Sequence, residues 1–458
     1  MLLAGDCLER LKELPDCSVD SVVTDPPYHL TSIVKRFGAA AASPAKDYTG
    51  ARENATGAYA RASRGFMGQQ WDGGDIAFRV ELWAQVLRVL KPGGHVVAFS
   101  ATRTYHRMAC AIEDAGFEIR DQLAWMYGTG FPKSLNVGRA LQAQASAGGC
   151  GPEAQRRAAM GDDYRPSGRG RVNYDHGSGS ARNGAADGDA LQWQGWGTAL
   201  KPAWEPICLA RKPISARNVA ENVLAHGVGG LNIDGCRIEA VDEIKPRGTS
   251  KIDTDVNPGW LRPHMQDRAL MAAREAAAIE RANTLGRWPA NIIHDGSPEV
   301  VGAFPAEAGA FAPVRGTEPS NAITNVYGER VRVATTHHGD TGSAARFFYS
   351  AKAARNDRIG SKHPTVKPVD LMRWLVRLVT PPRGTVLDPF AGSGTTGEAA
   401  LLEGFKAIMV EREPEYQADI ARRMALVFAG ETERAHAIVK ARGEEESHDT
   451  LPLFGGGA

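Results

Sequence analysis

A carboxylate, two prolines and an aromatic ring stand together at Asp25-Pro26-Pro27-Tyr28, directly after the short β-rich run Ser21–Thr24. The prolines remove two N–H donors and fix φ, so the turn is rigid and presents its carbonyls and carboxylate outward. An exocyclic amine brought there could give one hydrogen to Asp25 and the other to the Pro26 carbonyl. Its lone pair would then face an electrophile, and Tyr28 could stack on the attached ring. Without a second motif, the same residues would read as an ordinary strand-ending turn with a proline pair.

The second motif lies at the other end of the chain. TVLDPFAGSGTTGEAAL places Gly392, Gly394 and Gly397 in a G-x-G-x-x-G array between a strand signal and a helix signal. Glycines allow a sharp turn and close backbone approach to a ligand, and the helix start offers free N–H groups. Glu411 follows 17 residues after Gly394 (411 − 394), at the end of the next strand, where an acid can bind both hydroxyls of a ribose. Three readings stand: S-adenosylmethionine, a dinucleotide, or a structural tight turn. Against the dinucleotide, Asp388-Pro389-Phe390-Ala391 intervene between strand and first glycine. Asp388 would also repel a pyrophosphate, yet suits the ammonium of an amino-acid-bearing cofactor. A P-loop is excluded, because no G-K-[ST] follows.

The elements that must position these turns can be read on both sides of them. Val80, Trp83, Leu87 and Leu90 share one helical face, and Lys91-Pro92-Gly93-Gly94 supplies the stop. His95–Ser100 is a buried-strand candidate, Arg103–Ala115 a helix and Glu118–Trp125 a strand. After residue 363 come an amphipathic helix Val369–Val379 and a strand Gly384–Leu387. They are followed by a helix Thr395–Glu403, a strand Lys406–Val410 and a helix Glu413–Phe428. Such alternation implies a parallel α/β architecture. Residues 29–70 read as a mobile loop. From 128 to 345 the pattern decays apart from an Ala-rich helix over Leu270–Ala282, and the residues from 431 onward read as a flexible tail.

Composition sets limits on the rest. The chain has 458 residues, with 51 Gly and a net charge of +1, so no global basic field announces a polyanionic partner. The six cysteines, Cys7, Cys17, Cys110, Cys150, Cys208 and Cys236, form no C-x-x-C pair. That argues against a zinc finger or a disulfide framework and for a reducing compartment. The opening MLLAGDCLERLKEL does not read as a signal peptide, and no apolar run approaches membrane-spanning length. A soluble, cytoplasmic protein is expected.

With both motifs in view, the chain resembles the β-class S-adenosylmethionine-dependent DNA amino-methyltransferases of phage or restriction-modification type. DPPY at 25–28 resembles their catalytic motif, LDPFAGSGTT at 387–396 their cofactor turn, HPTVKP at 363–368 the motif before it, and GDCLERLKELPD at 5–16 their lead-in. The resemblance implies a Rossmann-like methyltransferase fold with circularly permuted motif order. Its halves would be 1–128 (catalytic) and 346–430 (cofactor-binding), with a large irregular target-recognition insertion at 129–345. It implies that Asp25, Pro26, Pro27 and Tyr28 hold a flipped base, and that Phe390, Gly392 and Gly394, with Pro389, Ser393 and Thr395, line the methionine side of the cofactor. Asp388 would then stand near the amino group, Glu411 at the ribose and Asp6 at the adenine ring, with His363, Thr365 and Lys367 at the carboxylate end. DPPY favours adenine over cytosine as target. The partner implied is double-stranded DNA; a homodimer and a cognate restriction endonuclease are compatible with it. The rivals are a cytosine amino-methyltransferase and, in another class, an NAD-dependent oxidoreductase.

Local charge supports a polyanion. Residues 315–383 carry 12 basic and 5 acidic residues, including Arg346, Lys352, Arg355, Arg358 and Lys362, and residues 133–217 carry 12 and 7. Any one arginine there is more simply a solvated side chain. Tyr164 and Tyr174 could stack on bases, whereas Trp193, Trp196, Trp204, Trp260 and Trp288 are expected in the core. His337-His338 with Asp340 would diverge on a strand, and no metal is expected.

Overall fold

The computed structural model describes residues 1–28, 75–130, 134–146, 188–240, 268–307, 342–351, 354–361, 363 and 365–442. Two compact units emerge, one of residues 1–127 with 204–458 and one of residues 128–203.

The larger unit is built on one sheet. Its strands are β1 (Leu2–Ala4), β2 (Val19–Thr24), β3 (Leu90–Phe99), β4 (Glu118–Met126), β5 (Trp204–Arg211), β6 (Ile292–His294), β7 (Tyr349–Ser350), β8 (Thr385–Asp388) and β9 (Lys406–Glu411). Their spatial order is β1-β9-β8-β2-β3-β5-β4-β6-β7. Every neighbouring pair is parallel except the two that involve β5, which runs against both β3 and β4. β2 is followed outward by β3, and β8 outward in the opposite direction by β9. The β2/β8 boundary is therefore where strand order reverses, the usual place for a crevice at the carboxyl ends of the strands.

Strands apolar on both faces need cover on both. Val22, Val96, Cys208 and Ala210 face one core, whereas their neighbours Val23, Val97, Ile207 and Leu209 face the other, the period-two alternation of a pleated strand. The first core is closed by α1 (Cys7–Lys12), α2 (Val80–Val89) and α3 (Tyr105–Asp114), through Leu11, Trp83, Val86, Met108 and Ile112. In the smaller unit lie α4 (Val137–Ser146) and α5 (Gly188–Gln192). Back in the larger unit come α6 (Val219–His226), α7 (Arg268–Leu285), α8 (Pro298–Val301), α9 (Val369–Val379), α10 (Thr395–Leu402), α11 (Pro414–Ala425) and α12 (Glu431–Arg442). The second core is closed by α9 and α10, through Leu371, Trp374, Leu375, Leu378, Ala399 and Ala400. The result is the three-layer α/β arrangement that the alternation implies.

Several expectations need correction. α2 ends at Val89, and Leu90 opens β3. The β2–β3 register then jumps from Val19–Leu90 to Ser21–His95, so Lys91–Gly94 forms an irregularity within the strand rather than a separate stop. Strands β5 and β6 come from the segment expected to be an insertion and instead lie inside the sheet. Residues 431–442, expected as tail, form α12, anchored by buried Ile438 packed on Ile359 and Leu426. Trp193, Trp196, Trp204 and Trp288 are exposed rather than core, Trp196 at 59% and Trp288 at 65%. Among the described residues the core tryptophans are Trp83 and Trp374, whose helices lie against the sheet, and Trp125 on β4. The 29–70 loop, Tyr164, Tyr174, Trp260 and His337-His338 with Asp340 lie outside the described residues.

Candidate active site

Both motifs arrive at the carboxyl edge of the sheet. Asp25 follows β2 and Asp388 ends β8, and these strands are neighbours. Thr24 Oγ1 donates to Asp388 Oδ1 at 2.6 Å, joining the two turns across 364 residues of chain. Asp388 also accepts from the Phe390 N–H at 3.0 Å and from the Thr396 side chain. Burial pushes its carboxyl up to about 6, against those hydrogen bonds, and the nearby charge of Asp25 adds to the rise. Asp388 was expected beside a cofactor amino group; here it is buried and held by three partners of its own chain.

The glycine turn has the backbone its residues predict. Gly392 has φ 51° and Gly394 φ 81°, both in the left-handed region that glycine adopts without steric cost. Gly394 is also the N-cap of α10, with no side chain capping the helix. Gly397 lies so close to Met409 that an added Cβ would fall 2.2 Å from its sulfur, which explains the third glycine by packing. Glu411, at the end of β9, accepts from Gly392 N–H at 2.8 Å through Oε2 and from Glu413 N–H at 2.8 Å through Oε1. Burial nevertheless raises its carboxyl above the ordinary range. Asp6 caps α1, accepting from Leu8 N–H at 2.9 Å, and lies just beyond β1, whose Ala4 pairs with Glu411.

His363 lies against this turn, with Nε2 3.3 Å from where a Cβ on Gly392 would stand. Its ring meets Tyr416 edge-on at 4.6 Å, and burial pushes its pKa down to about 4. The Thr365 N–H points at His363 Nδ1 over 3.4 Å, and Thr365 itself is exposed. Pro389, Ser393 and Thr395 are buried in the turn, and Phe390 is half-buried. The Ser393 carbonyl accepts from Arg423 Nε at 2.6 Å; Arg423 in turn pairs with Glu398 at 2.5 Å in full burial. α12 reaches the same carboxylate through Arg434.

Lys367 departs from expectation. It was placed with the cofactor's carboxylate end, but its Nζ lies 2.8 Å from Asp25 Oδ2, 3.0 Å from Glu205 Oε2 and 3.0 Å from the Tyr28 hydroxyl. Tyr28 donates to Asp25 Oδ1 at 2.7 Å. The ammonium sits over the rings of Phe99 and Tyr28, at 4.8 and 5.4 Å from their centroids. Burial works against the Lys367 charge, yet Asp25 and Glu205 outweigh it and raise the lysine's pKa. Burial and the two carboxylates raise that of Tyr28. Glu205 carries no motif in the sequence. Because β5 is antiparallel, its first residues lie at the edge where β3 and β4 end, which brings Glu205 to the site.

The basic segment 315–383 is largely spoken for among the described residues. Arg346 donates to the Gly342 and Ser343 carbonyls, Arg358 to that of His363, and Arg373 and Arg377 pair with Glu403. Lys352, Lys362 and the Arg355 side chain lie outside the described residues.

A family model for DNA methylases of the N6/N4 type matches residues 19–147 and 238–422. The chain belongs to that family. The matched residues contain both turns, and membership sets aside the dinucleotide reading of the glycines. The chain is also similar to the DNA adenine methyltransferase YhdJ of Escherichia coli K12, 46% identical over 54 residues, which is 12% of this chain and 18% of that protein. It is similar to the type II methyltransferase M.HindIII of Haemophilus influenzae, 23% identical over 256 residues, 50% of this chain and 63% of that one. It thus spans less than two thirds of the length of either. Among solved structures it is similar to the cytosine-N4-specific PvuII DNA methyltransferase, with 13% identity, 97% of this chain and 93% of that one covered, and a TM-score of 0.38. No helix among the described residues is long and apolar enough to cross a membrane.

Proposed function

We propose that the protein transfers a methyl group from S-adenosylmethionine to the exocyclic amine of adenine in double-stranded DNA. The observation that carries this is the Thr24–Asp388 hydrogen bond, which sets the DPPY turn beside the glycine turn at one crevice. The donor set fits the cofactor. Glu411 accepts from the backbone N–H groups of Gly392, Glu413 and Arg412, and a carboxylate has about four acceptor sites, so room remains for a ribose hydroxyl. A cation arriving beside Asp388 would favour its charged form, offsetting the burial that now raises it. Gly392, Gly394, Phe390 and His363 would line the methionine end, and Asp6 the adenine side. S-adenosylmethionine supplies an electrophilic methyl.

The protein's residues then orient the nucleophile. The target base must leave the duplex, at a cost of a few kcal/mol. Asp25 already accepts one bond at each oxygen, yet a carboxylate has about four acceptor sites. It can therefore take one amine hydrogen while the Pro26 carbonyl takes the other. Catalysis comes from that positioning, without a covalent enzyme intermediate. Adenine is preferred to cytosine because the turn reads Asp-Pro-Pro-Tyr. The parts of residues 129–345 outside the sheet strands β5 and β6 would carry target recognition, and double-stranded DNA is the partner. The test is incubation with labelled S-adenosylmethionine and unmethylated DNA, followed by nucleoside analysis. Methylated adenine supports the reading, and methylated cytosine overturns the base assignment.

A further inference from the structure

The network around Lys367 contains an acid that the amine-binding turn alone does not require. Lys367 has three N–H bonds, and the structure gives each an acceptor: Asp25, Glu205 and the Tyr28 oxygen. The Tyr28 hydroxyl therefore accepts from the lysine and must donate to a carboxylate, the nearer being Asp25 at 2.7 Å against 3.1 Å for Glu205. The chain runs from lysine to tyrosine to a carboxylate, with Asp25 the nearer acceptor. With Lys367 alone, the charge of Asp25 would be cancelled. With Glu205 present the three groups sum to −1, and Lys367 is held between two carboxylates rather than collapsed onto one.

We propose that Glu205 is a positioning residue for methyl transfer: through Lys367 and Tyr28 it fixes the orientation of Asp25 and restores net negative charge at the amine. The proposal rests on the reading above, in which Asp25 accepts the amine hydrogens. During transfer the nitrogen–methyl bond forms as the carbon–sulfur bond breaks. Sulfur keeps the electron pair, and the nitrogen carries positive charge until it loses a proton. A residual negative charge fixed beside that nitrogen stabilises the charge as it develops. Buried charges are costly to desolvate and add little net stability, so a lysine with two acids at a strand edge has no simple structural benefit.

Among the described residues, few groups face the cluster. Tyr127, after β4, hydrogen-bonds Glu205 and is pushed up to about 12 by burial and that carboxylate, so it stays a neutral phenol. Asp388 lies within electrostatic reach of Asp25 from β8. His363, on the Lys367 segment, is held neutral by burial near neutral pH. Phe99 from β3 offers only its ring.

The experiment uses the full chain with S-adenosylmethionine and duplex DNA, comparing wild type with E205Q, E205D and K367M. E205Q should lower kcat roughly 10–100-fold, less than the roughly 100–1,000-fold lost with a preorganised donor that touches the reacting atoms, because Glu205 acts through Lys367 and Tyr28. The cofactor Kd and the KM for DNA should stay within about twofold of wild type, because Glu205 is assigned to neither binding site. E205D, which keeps the charge, should recover part of the loss. The pH profiles carry the decisive sign. Removing a like charge in E205Q should move the acid limb of kcat to lower pH, and removing the cation in K367M should move it to higher pH, each by about one unit. A kcat for E205Q within twofold of wild type, or limbs that move together or not at all, overturns the proposal. If E205Q fails to fold, E205D and K367M carry the same contrast: the limb unmoved in the first and raised in the second, with any other pair of results overturning it. Failure of the underlying reading looks different: no methyl transfer by wild type, or an undiminished D25A variant.

Discussion

Lys367 Nζ lies 2.8 Å from Asp25 Oδ2, although 342 residues separate them in the chain. The lysine comes from the segment before α9 and the aspartate from the turn after β2. The pair exists because both segments end at the crevice beside β2. It ties the Asp-Pro-Pro-Tyr turn to the segment that leads into α9, and the first prediction follows from it.

Asp25→Ala should remove most turnover, on the order of 100-fold or more if the carboxylate orients the amine. The glycine turn and Glu411 are untouched, so calorimetric affinity for S-adenosylmethionine should stay close to wild type. Unchanged turnover would contradict the catalytic assignment.

Gly394→Ala should weaken cofactor binding. The residue has φ 81°, and its Cβ would meet Ile420 at 3.0 Å. A left-handed conformation costs a non-glycine residue roughly 1–2 kcal/mol, and relief can come only by reshaping the turn. Equilibrium binding of S-adenosylmethionine, measured alongside the melting temperature, separates the local effect from general destabilisation. Wild-type affinity would contradict the placement of the cofactor at this turn.

Arg423→Met should destabilise the fold. Arg423 and Glu398 pair at 2.5 Å with side chains 1% exposed. Removing one partner of a buried pair typically costs about 3–5 kcal/mol; Arg434, which also reaches Glu398, should keep the loss near the lower end. Urea unfolding measures it. Truncation before α12 removes Arg434 and should lower stability as well, a result not expected of a free tail.

Much of this was legible in the sequence, and the divisions are physical. α9 was readable because eleven residues carry a strong 3.6-residue pattern between Pro368 and Pro381. Asp25 and the glycines were readable because turn chemistry is local. Glu205 was not, since its role depends on β5 running antiparallel between β3 and β4, a long-range fact with no local signature. The motif places Lys367 at the site, but its contacts with Asp25, Glu205 and Tyr28 are not legible there, because a motif gives neighbourhood and not the direction of a side chain. The exposure of the tryptophans has a related reason. Size argues for burial, but burial also needs a surface to pack on, and Trp288 has Arg237 over its ring at 5.3 Å instead.

Stability should depend on pH through His95, which is buried on β3 and has its pKa pushed down to about 4 by burial, with Arg211 and Arg120 adding to the shift. An unfolded histidine binds a proton below about 6.5. Between pH 6.5 and 4 the unfolded state therefore holds more protons than the folded one, and stability falls as pH falls. At pH 5 this amounts to about 2 kcal/mol for one such group. His95→Leu should thus gain on wild type at pH 5 relative to pH 8, read as the difference in unfolding free energy at the two values. Asp388, shifted up to about 6, acts in the opposite sense over pH 4 to 6, so the comparison must be between variants and not on wild type alone.

The central claim is that one crevice joins an amine-binding turn to a methyl-donor site, and methyl transfer to DNA tests it most directly. The protein should be incubated with S-adenosylmethionine labelled in its methyl group and with unmethylated duplex DNA, then the DNA digested to nucleosides. The account predicts label in N6-methyladenine, lost in Asp25→Ala. Label absent from DNA despite measurable binding of S-adenosylmethionine, or present undiminished in Asp25→Ala, would contradict it.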